Sequence, residues 1–250
     1  MWSSLLSWLT DSTHWQGPAG VPTRILQHLG YTALSMLFAL IVSLPVGALV
    51  GHTGRGGVVV VGLANGLRAL PSLGLLTIVV LVGGLGLAPP TIALAILAIP
   101  PALAGTYAGI KAVDPAVVDA ARGVGMREWE ILLKVEVPNA LPLIFGGVRN
   151  ATLQVVATAT IAAYVSLGGL GRYVIDGYAQ LDYAQMLAGA LLVAALAIVV
   201  DLVLVGIQRL VVSPGLNQSA TTRRRSWLRR NRNTAVSVNE PESVYMRGNT

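Results

Sequence analysis

The chain contains no cysteine, which excludes disulfides and thiolate metal ligation. Charge is scarce as well: 11% of the 250 residues are Asp, Glu, Lys or Arg, against about 25% in domains whose surface faces water. The three histidines, His14, His28 and His52, are scattered, with no H-x-x-H or H-E-x-x-H spacing, so no metal site is expected. Only two lysines occur, Lys111 before Ala112 and Lys134 before Val135. Neither can complete the Gly-Lys-Ser/Thr of a phosphate-cradling loop. The run Gly168-Gly169-Leu170-Gly171 follows an apolar helix pattern rather than a strand, so it is no nucleotide loop either. No catalytic residues, bound cofactor or nucleic-acid site are expected.

What is present is apolar. Hydrophobic residues make up 54% of the chain and the mean hydropathy is +0.69, so its outer face must meet lipid. Five stretches approach the roughly 20 residues that a helix needs to cross a bilayer: about 29–50, 58–82, 90–110, 138–165 and 185–210. Pro71 interrupts the second and Pro100-Pro101 the third, because proline removes a backbone donor and crowds the preceding turn. Such breaks persist in a membrane where protein or a water-filled cavity satisfies the freed groups. Gly62-x-x-x-Gly66 offers a small-residue step for close helix contact.

The net charge of +6 is unevenly placed. Residues 1–212 hold 10 Lys/Arg and 9 Asp/Glu, whereas the last 38 hold 7 Arg and 2 Glu. Within the first part, Arg55 and the basic residues of 111–137 lie on one side of the spans, with only Arg24 and Arg172 on the other. Positive loops stay in the cytoplasm, which places the N-terminus outside, the C-terminus inside and an odd number of spans between. Residues 1–27 read as an external or interfacial segment, with Trp2, Trp8 and Trp15 at headgroup level, and without the basic n-region of a signal peptide. Residues 28–212 read as the membrane domain. Residues 213–250 read as a basic disordered tail with too little apolar surface to fold.

The stretch from Lys111 to Val137 joins the third and fourth spans. Asp114 followed by Pro115 is an N-cap with proline at the first helical position. Val117, Val118 and Ala121 give a short helix one apolar stripe, Gly123 and Gly125 break it, and a second short run leads to Pro138. Apolar residues rimmed by charge outside the bilayer suggest a protein-binding surface.

Asp119-Ala120-Ala121, three residues, Gly125, nine residues and Val135-Glu136-Val137-Pro138 resemble the EAA motif of type I (MetI-like) ABC importer permeases, E-A-A-x3-G-x9-I-x-L-P. The departures are Asp119 for Glu, Val135 for Ile and Val137 for Leu. Arg68-Ala-Leu-Pro71-Ser72-Leu-Gly-Leu-Leu76 is similar to the R-T-I-P-S-L-A-L-L segment of osmoprotectant permeases (glycine betaine, carnitine, choline). Thr106-Tyr107-Ala-Gly-Ile-Lys-Ala-Val-Asp-Pro115 and Ser166-Leu-Gly168-Gly169-Leu-Gly171 resemble two further segments of that subfamily.

The resemblance implies an all-α integral membrane protein of about five transmembrane helices with a cytoplasmic coupling-helix loop. It also implies that Asp119, Ala120, Ala121, Gly125 and Pro138 form the element that docks on a separate ABC ATPase subunit. A second permease (homo- or heterodimer) and an extracytoplasmic solute-binding protein complete such an importer, in which ATP is used by the partner. Arg68, Pro71, Ser72, Tyr107, Thr152, Gln154, Thr158, Gly168, Gly169 and Gly171 are the pathway or gate candidates. Arg68, Arg149 and Asp201 are charged within spans, and Asp201 is expected to pair with Arg149 or with Arg68. A cation could also meet Tyr107, Phe145 or Tyr164. Alternative readings are a permease for another small solute, such as methionine or a sulfonate, and a secondary carrier using Asp201 as its titratable acid.

Overall fold

The computed structural model describes residues 2–165 and 167–212, with the backbone alone at Arg68. Ser166 and the basic tail 213–250 lie outside the described residues. Every regular element among those described is helical, which satisfies backbone polar groups internally where no water can.

The chain opens with α1 (Trp2–Thr10) and a short 3-10 turn, Ser12–Trp15. Then follow α2 (Val21–Thr53), α3 (Gly57–Arg68), α4 (Ser72–Gly83) and α5 (Ala88–Lys111). Outside the spans lie α6 (Pro115–Gly123) and α7 (Glu128–Ile131), the latter running through a π segment, Leu132–Glu136, into α8 (Val137–Ala162). The chain continues through α9 (Gly171–Gln180) to α10 (Tyr183–Val211). Four helices are long and apolar enough to cross a membrane: α2, α5, the run Glu128–Val165 and α10. At 12 residues each, α3 and α4 reach about 18 Å, short of the roughly 30 Å hydrocarbon core. They qualify only as a pair, bent by 90°. The five expected spans are thus four long helices and one broken one.

α5 is the central helix, flanked by α2 and α8. Its Ala93, Leu94, Ala98 and Ala102 are buried with Met36 and Ala39 of α2 and with Ala151, Val155 and Ala159 of α8. Glycines set the close approach. A Cβ on Gly47 would stand 2.8 Å from Thr106 Cβ, one on Gly51 2.7 Å from Ile110 Cβ, and one on Gly147 2.7 Å from Gly105 Cα. Such backbone contact is how helices associate in lipid, where the hydrophobic effect gives them no drive to pair. The step expected at Gly62 and Gly66 is not one of these contacts: a Cβ at either would meet nothing within 4 Å. A repeat of small residues shows where a close contact is possible, but not which face a neighbour occupies.

Three further expectations are corrected. Pro100-Pro101 does not interrupt α5: the carbonyl of Leu97, four residues before Pro101, takes a donor from a neighbouring helix instead, Gln154 Nε2 at 3.1 Å. The first span begins at Val21, inside the segment 1–27 read as external. Its polar first turns are covered by protein: Arg24 Nη1 donates to Gln27 Oε1 at 3.2 Å, and Gln27 Oε1 accepts the Gly169 N–H at 3.0 Å. Finally, Trp8 is not a headgroup anchor. It is buried, stacked on His14 at 4.1 Å and edge-on to Tyr173 at 5.2 Å, while Trp2 and Trp15 remain exposed.

Candidate functional site

The break at Pro71 opens a polar cavity inside an apolar bundle. Its volume is about 420 Å³, and its lining comes from the α3–α4 break (Leu67, Leu70, Ser72), from α5 (Leu97, Pro101) and from α8 (Asn150, Gln154, Thr158). Asn150, Gln154 and Thr158 follow one another at four-residue spacing, so α8 presents them as a single stripe. Thr158 Oγ1 donates back to the Gln154 carbonyl at 2.8 Å, which leaves its lone pairs as acceptors toward the cavity. Gln154 commits an amide N–H to Leu97 and keeps its carbonyl oxygen free of that bond. Among the described residues the lining contains neither an acid nor an aromatic ring.

Three sequence candidates therefore meet here: Ser72, Gln154 and Thr158. Pro71 stands at the N-cap of α4 beside them. The side chain of Arg68, the last residue of α3, lies outside the described residues. The other candidates sit elsewhere. Thr152 is buried and bonds its own helix at the Val148 carbonyl, 2.9 Å away. Tyr107 packs its ring on the start of α3, where a Cβ on Gly57 would come within 3.1 Å of Tyr107 Cζ. Phe145 and Tyr164 are also absent from the lining. Asn150 was not anticipated, although its spacing from Gln154 and Thr158 was a readable signal.

Gly168, Gly169 and Gly171 form a separate cluster at the starting end of α2. A Cβ on Gly168 would meet Tyr31 Oη at 3.0 Å, and one on Gly171 would meet Thr160 Cα at 2.8 Å. Gly169 has φ +82°, a left-handed conformation that disfavours any side chain. Beneath them His28, fully buried, lies within bonding distance of the Val156 carbonyl, Nε2 to O 3.0 Å. This cluster holds α2, α8 and the 167–171 loop together.

At the opposite end of the bundle, α6 and α7 form a platform. Asp114 Oδ1 accepts the Ala116 N–H at 3.0 Å, as its capping position predicts. Gly125 ends the first helix with φ +85°, and its amide donates to the Arg122 carbonyl at 2.9 Å. No atom lies near its missing Cβ, so glycine is needed there for backbone conformation rather than for space. Asp119 and Ala120 are exposed, whereas Ala121 is turned inward against Val118 and Ile131. Val117, Val124, Trp129 and Leu133 supply exposed apolar surface. Arg122 binds Glu128 through Nε at 2.8 Å and Nη2 at 3.1 Å, and reaches Asp119 at 3.3 Å. The Glu128 hydrogen bonds and charge, seconded by Asp119, push the Arg122 pKa above its usual value. Pro138 follows the π segment at the start of α8.

Arg149 and Asp201 do pair. The guanidinium meets the carboxylate through Nε–Oδ1 and through Nη2–Oδ2 at 2.6 Å. Two parallel bonds of this kind are the strong form of the interaction, and they tie α10 to α8 where an unpaired charge is costly.

Comparison with known proteins agrees with this architecture. Residues 43–213 match the family described as binding-protein-dependent transport system inner membrane component. The glycine betaine/carnitine/choline transport system permease protein OpuCB of Bacillus subtilis is 34% identical over 76% of this chain and 88% of its own length. The osmoprotectant import permease protein OsmW of Salmonella typhimurium is likewise 34% identical, over 76% and 91%. Among solved structures, an inward-facing MetNI methionine ABC transporter superposes with a TM-score of 0.67 at 24% identity, covering 75% of this chain and 94% of the other; this likeness bears on the fold alone. With the matched family region spanning most of the membrane helices, the chain belongs to the binding-protein-dependent transport system inner membrane components, as a multi-pass permease.

Proposed function

We propose that this chain is the translocation subunit of an ATP-driven importer for small osmoprotectants of the glycine betaine, choline or carnitine type. The observation that carries the pathway reading is the polar cavity at the Pro71 break, lined by Ser72, Asn150, Gln154 and Thr158 within otherwise apolar helices. Irregular backbone at membrane depth is tolerated where it lines a cavity. The solute class rests on the relatives, and the lining is consistent with it. Hydroxyls and amides without acids suit a zwitterion or a weakly solvated cation that is passed on rather than held. Selection then falls mainly to an extracytoplasmic solute-binding protein.

The exposed platform of Asp119, Ala120 and Gly125, braced from beneath by Ala121 and continuous with α8 through Pro138, is the docking element for a separate ABC ATPase subunit. That partner binds and hydrolyses ATP, while this chain supplies the path and the mechanical linkage. A single subunit of this kind does not enclose a path by itself, so a second permease, identical or related, completes it. Closure of the ATPases draws two such platforms together and shifts the bundle between its two access states. Lys and Arg placement puts the platform and the basic tail in the cytoplasm and the N-terminus outside, in the inner or plasma membrane of a prokaryote.

The secondary-carrier reading has lost its main support. Asp201 is held in a two-bond pair with Arg149, and among the described residues no acid lines the cavity. The test is uptake of labelled glycine betaine, choline and carnitine by cells with the complete system, with and without this subunit. Methionine and a sulfonate serve as competitors. Subunit-dependent uptake of the competitors alone overturns the osmoprotectant assignment and leaves the family intact.

A further inference from the structure

The platform is joined covalently to α5 at one end and to α8 at the other, and these two helices pack on each other. α2 has no such covalent link to it. Beyond its apolar packing on α5 and α8, α2 meets α7 and the π segment through one polar side chain among the described residues, His52, in its last turn. Its Nδ1 stands 2.6 Å from Glu136 Oε2, and its Nε2 stands 3.2 Å from Glu128 Oε2. Glu136 is 5% exposed and the His52 side chain 10%, so the bond between them is shielded from water, whereas Glu128 lies more than half exposed at the rim. Glu128 continues to Arg122 and from there to Asp119. The result is a polar chain, Glu136–His52–Glu128–Arg122–Asp119, from a buried point between α2 and α8 to the exposed face of the platform.

Two features indicate more than casual packing. Glu136 closes a five-residue π segment, a helix irregularity that recurs at functional sites. It is also the one acid in the apolar run before Pro138, where a buried carboxylate needs a partner. A doubly protonated histidine ring matches this task, since each of its two N–H groups can donate to a carboxylate.

We propose that His52 is the positioning residue that makes α2 move with the ATPase-docking platform. Through it a displacement of α6 and α7 reaches α2 as well as α5 and α8, so all three core helices shift together. This rests on the importer reading above.

The complete transporter, reconstituted in liposomes, is assayed for solute taken up per ATP hydrolysed, at equal amounts of assembled complex. His52→Ala and Glu136→Ala should each lower that ratio about tenfold, as expected for loss of a hydrogen bond to a charged group. The double variant should fall no further than either single one, and His52→Lys, which still offers donors to both carboxylates, should recover most of the ratio. A merely structural role would lower the yield of complex without changing the ratio. An unchanged ratio in His52→Ala, or single effects that multiply in the double variant, overturns the proposal.

A second measurement needs neither a variant at His52 nor a transported solute. Because the chain lacks cysteine, spin labels can be attached at Thr53→Cys and Ala116→Cys. Their distance should be the same in the nucleotide-free and ATP-trapped complex. A shift between the two states in the otherwise unaltered protein shows that α2 does not follow the platform. Uptake by the unaltered transporter reports separately on the importer reading.

Discussion

Gln154 Nε2 donates to the carbonyl of Leu97 at 3.1 Å, the carbonyl four residues before Pro101. In a regular helix the amide of residue 101 would fill that place, and proline has none. A side chain from α8 thus repairs the backbone of α5, which lets α5 run unbroken through two prolines at the wall of the cavity. The same amide group faces the proposed path, so Gln154 is both a brace and a lining residue.

Gln154→Leu should therefore destabilise the purified subunit, by about 1–3 kcal/mol for an orphaned buried carbonyl. Adding Pro101→Ala, which restores the missing amide, should recover much of that loss. Thermal unfolding in detergent of the two single variants and the double one checks this. Additive losses would show that the Gln154–Leu97 bond is not the link.

At Gly125 the cost of substitution lies in the backbone. Its φ of +85° should make Gly125→Asp less damaging than Gly125→Val, since Asn and Asp tolerate the left-handed region and branched side chains do not. For the valine variant a loss of about 1–3 kcal/mol is expected. Retention of the ATPase on an affinity-tagged permease, measured together with uptake, should fall in that order while membrane insertion persists.

Breaking the ion pair between α8 and α10 should be worse than removing it. Arg149→Leu and Asp201→Leu each leave a lone charge beside apolar helices, a loss moderated by the partial exposure of both groups. The double variant should accumulate in membranes better than either single one. Quantitative blotting of membrane fractions decides it.

Glycine contacts give a fourth comparison. Gly147→Ala pushes a methyl to within 2.7 Å of Gly105 Cα, so α5 and α8 must separate and the unfolding temperature should fall by several degrees. Gly62→Ala meets no atom of the chain and should leave the unfolding temperature of the isolated subunit unchanged or slightly raised, because alanine favours the helix.

Composition and order alone determined much of this protein. Long apolar runs can only be helices in lipid, the Asp114-Pro115 step starts α6, Pro71 breaks the second span, and the spacing from Asp119 to Pro138 marks the family. Thr152, Gln154 and Thr158 marked the fourth span as a pathway candidate. These are local signals, carried by neighbours in sequence or by one face of one helix. What the sequence could not show was which faces meet. Gly62 and Gly66 look as ready for contact as Gly105 and Gly109, yet only the second pair has a neighbour. The prolines at 100 and 101 resemble a break until Gln154 arrives from 53 residues further on to satisfy the freed carbonyl. His52 and Glu136, 84 residues apart, carry no motif that links them. A hydrogen bond depends on where two groups stand in space, and for residues on different helices only the packing of those helices decides that.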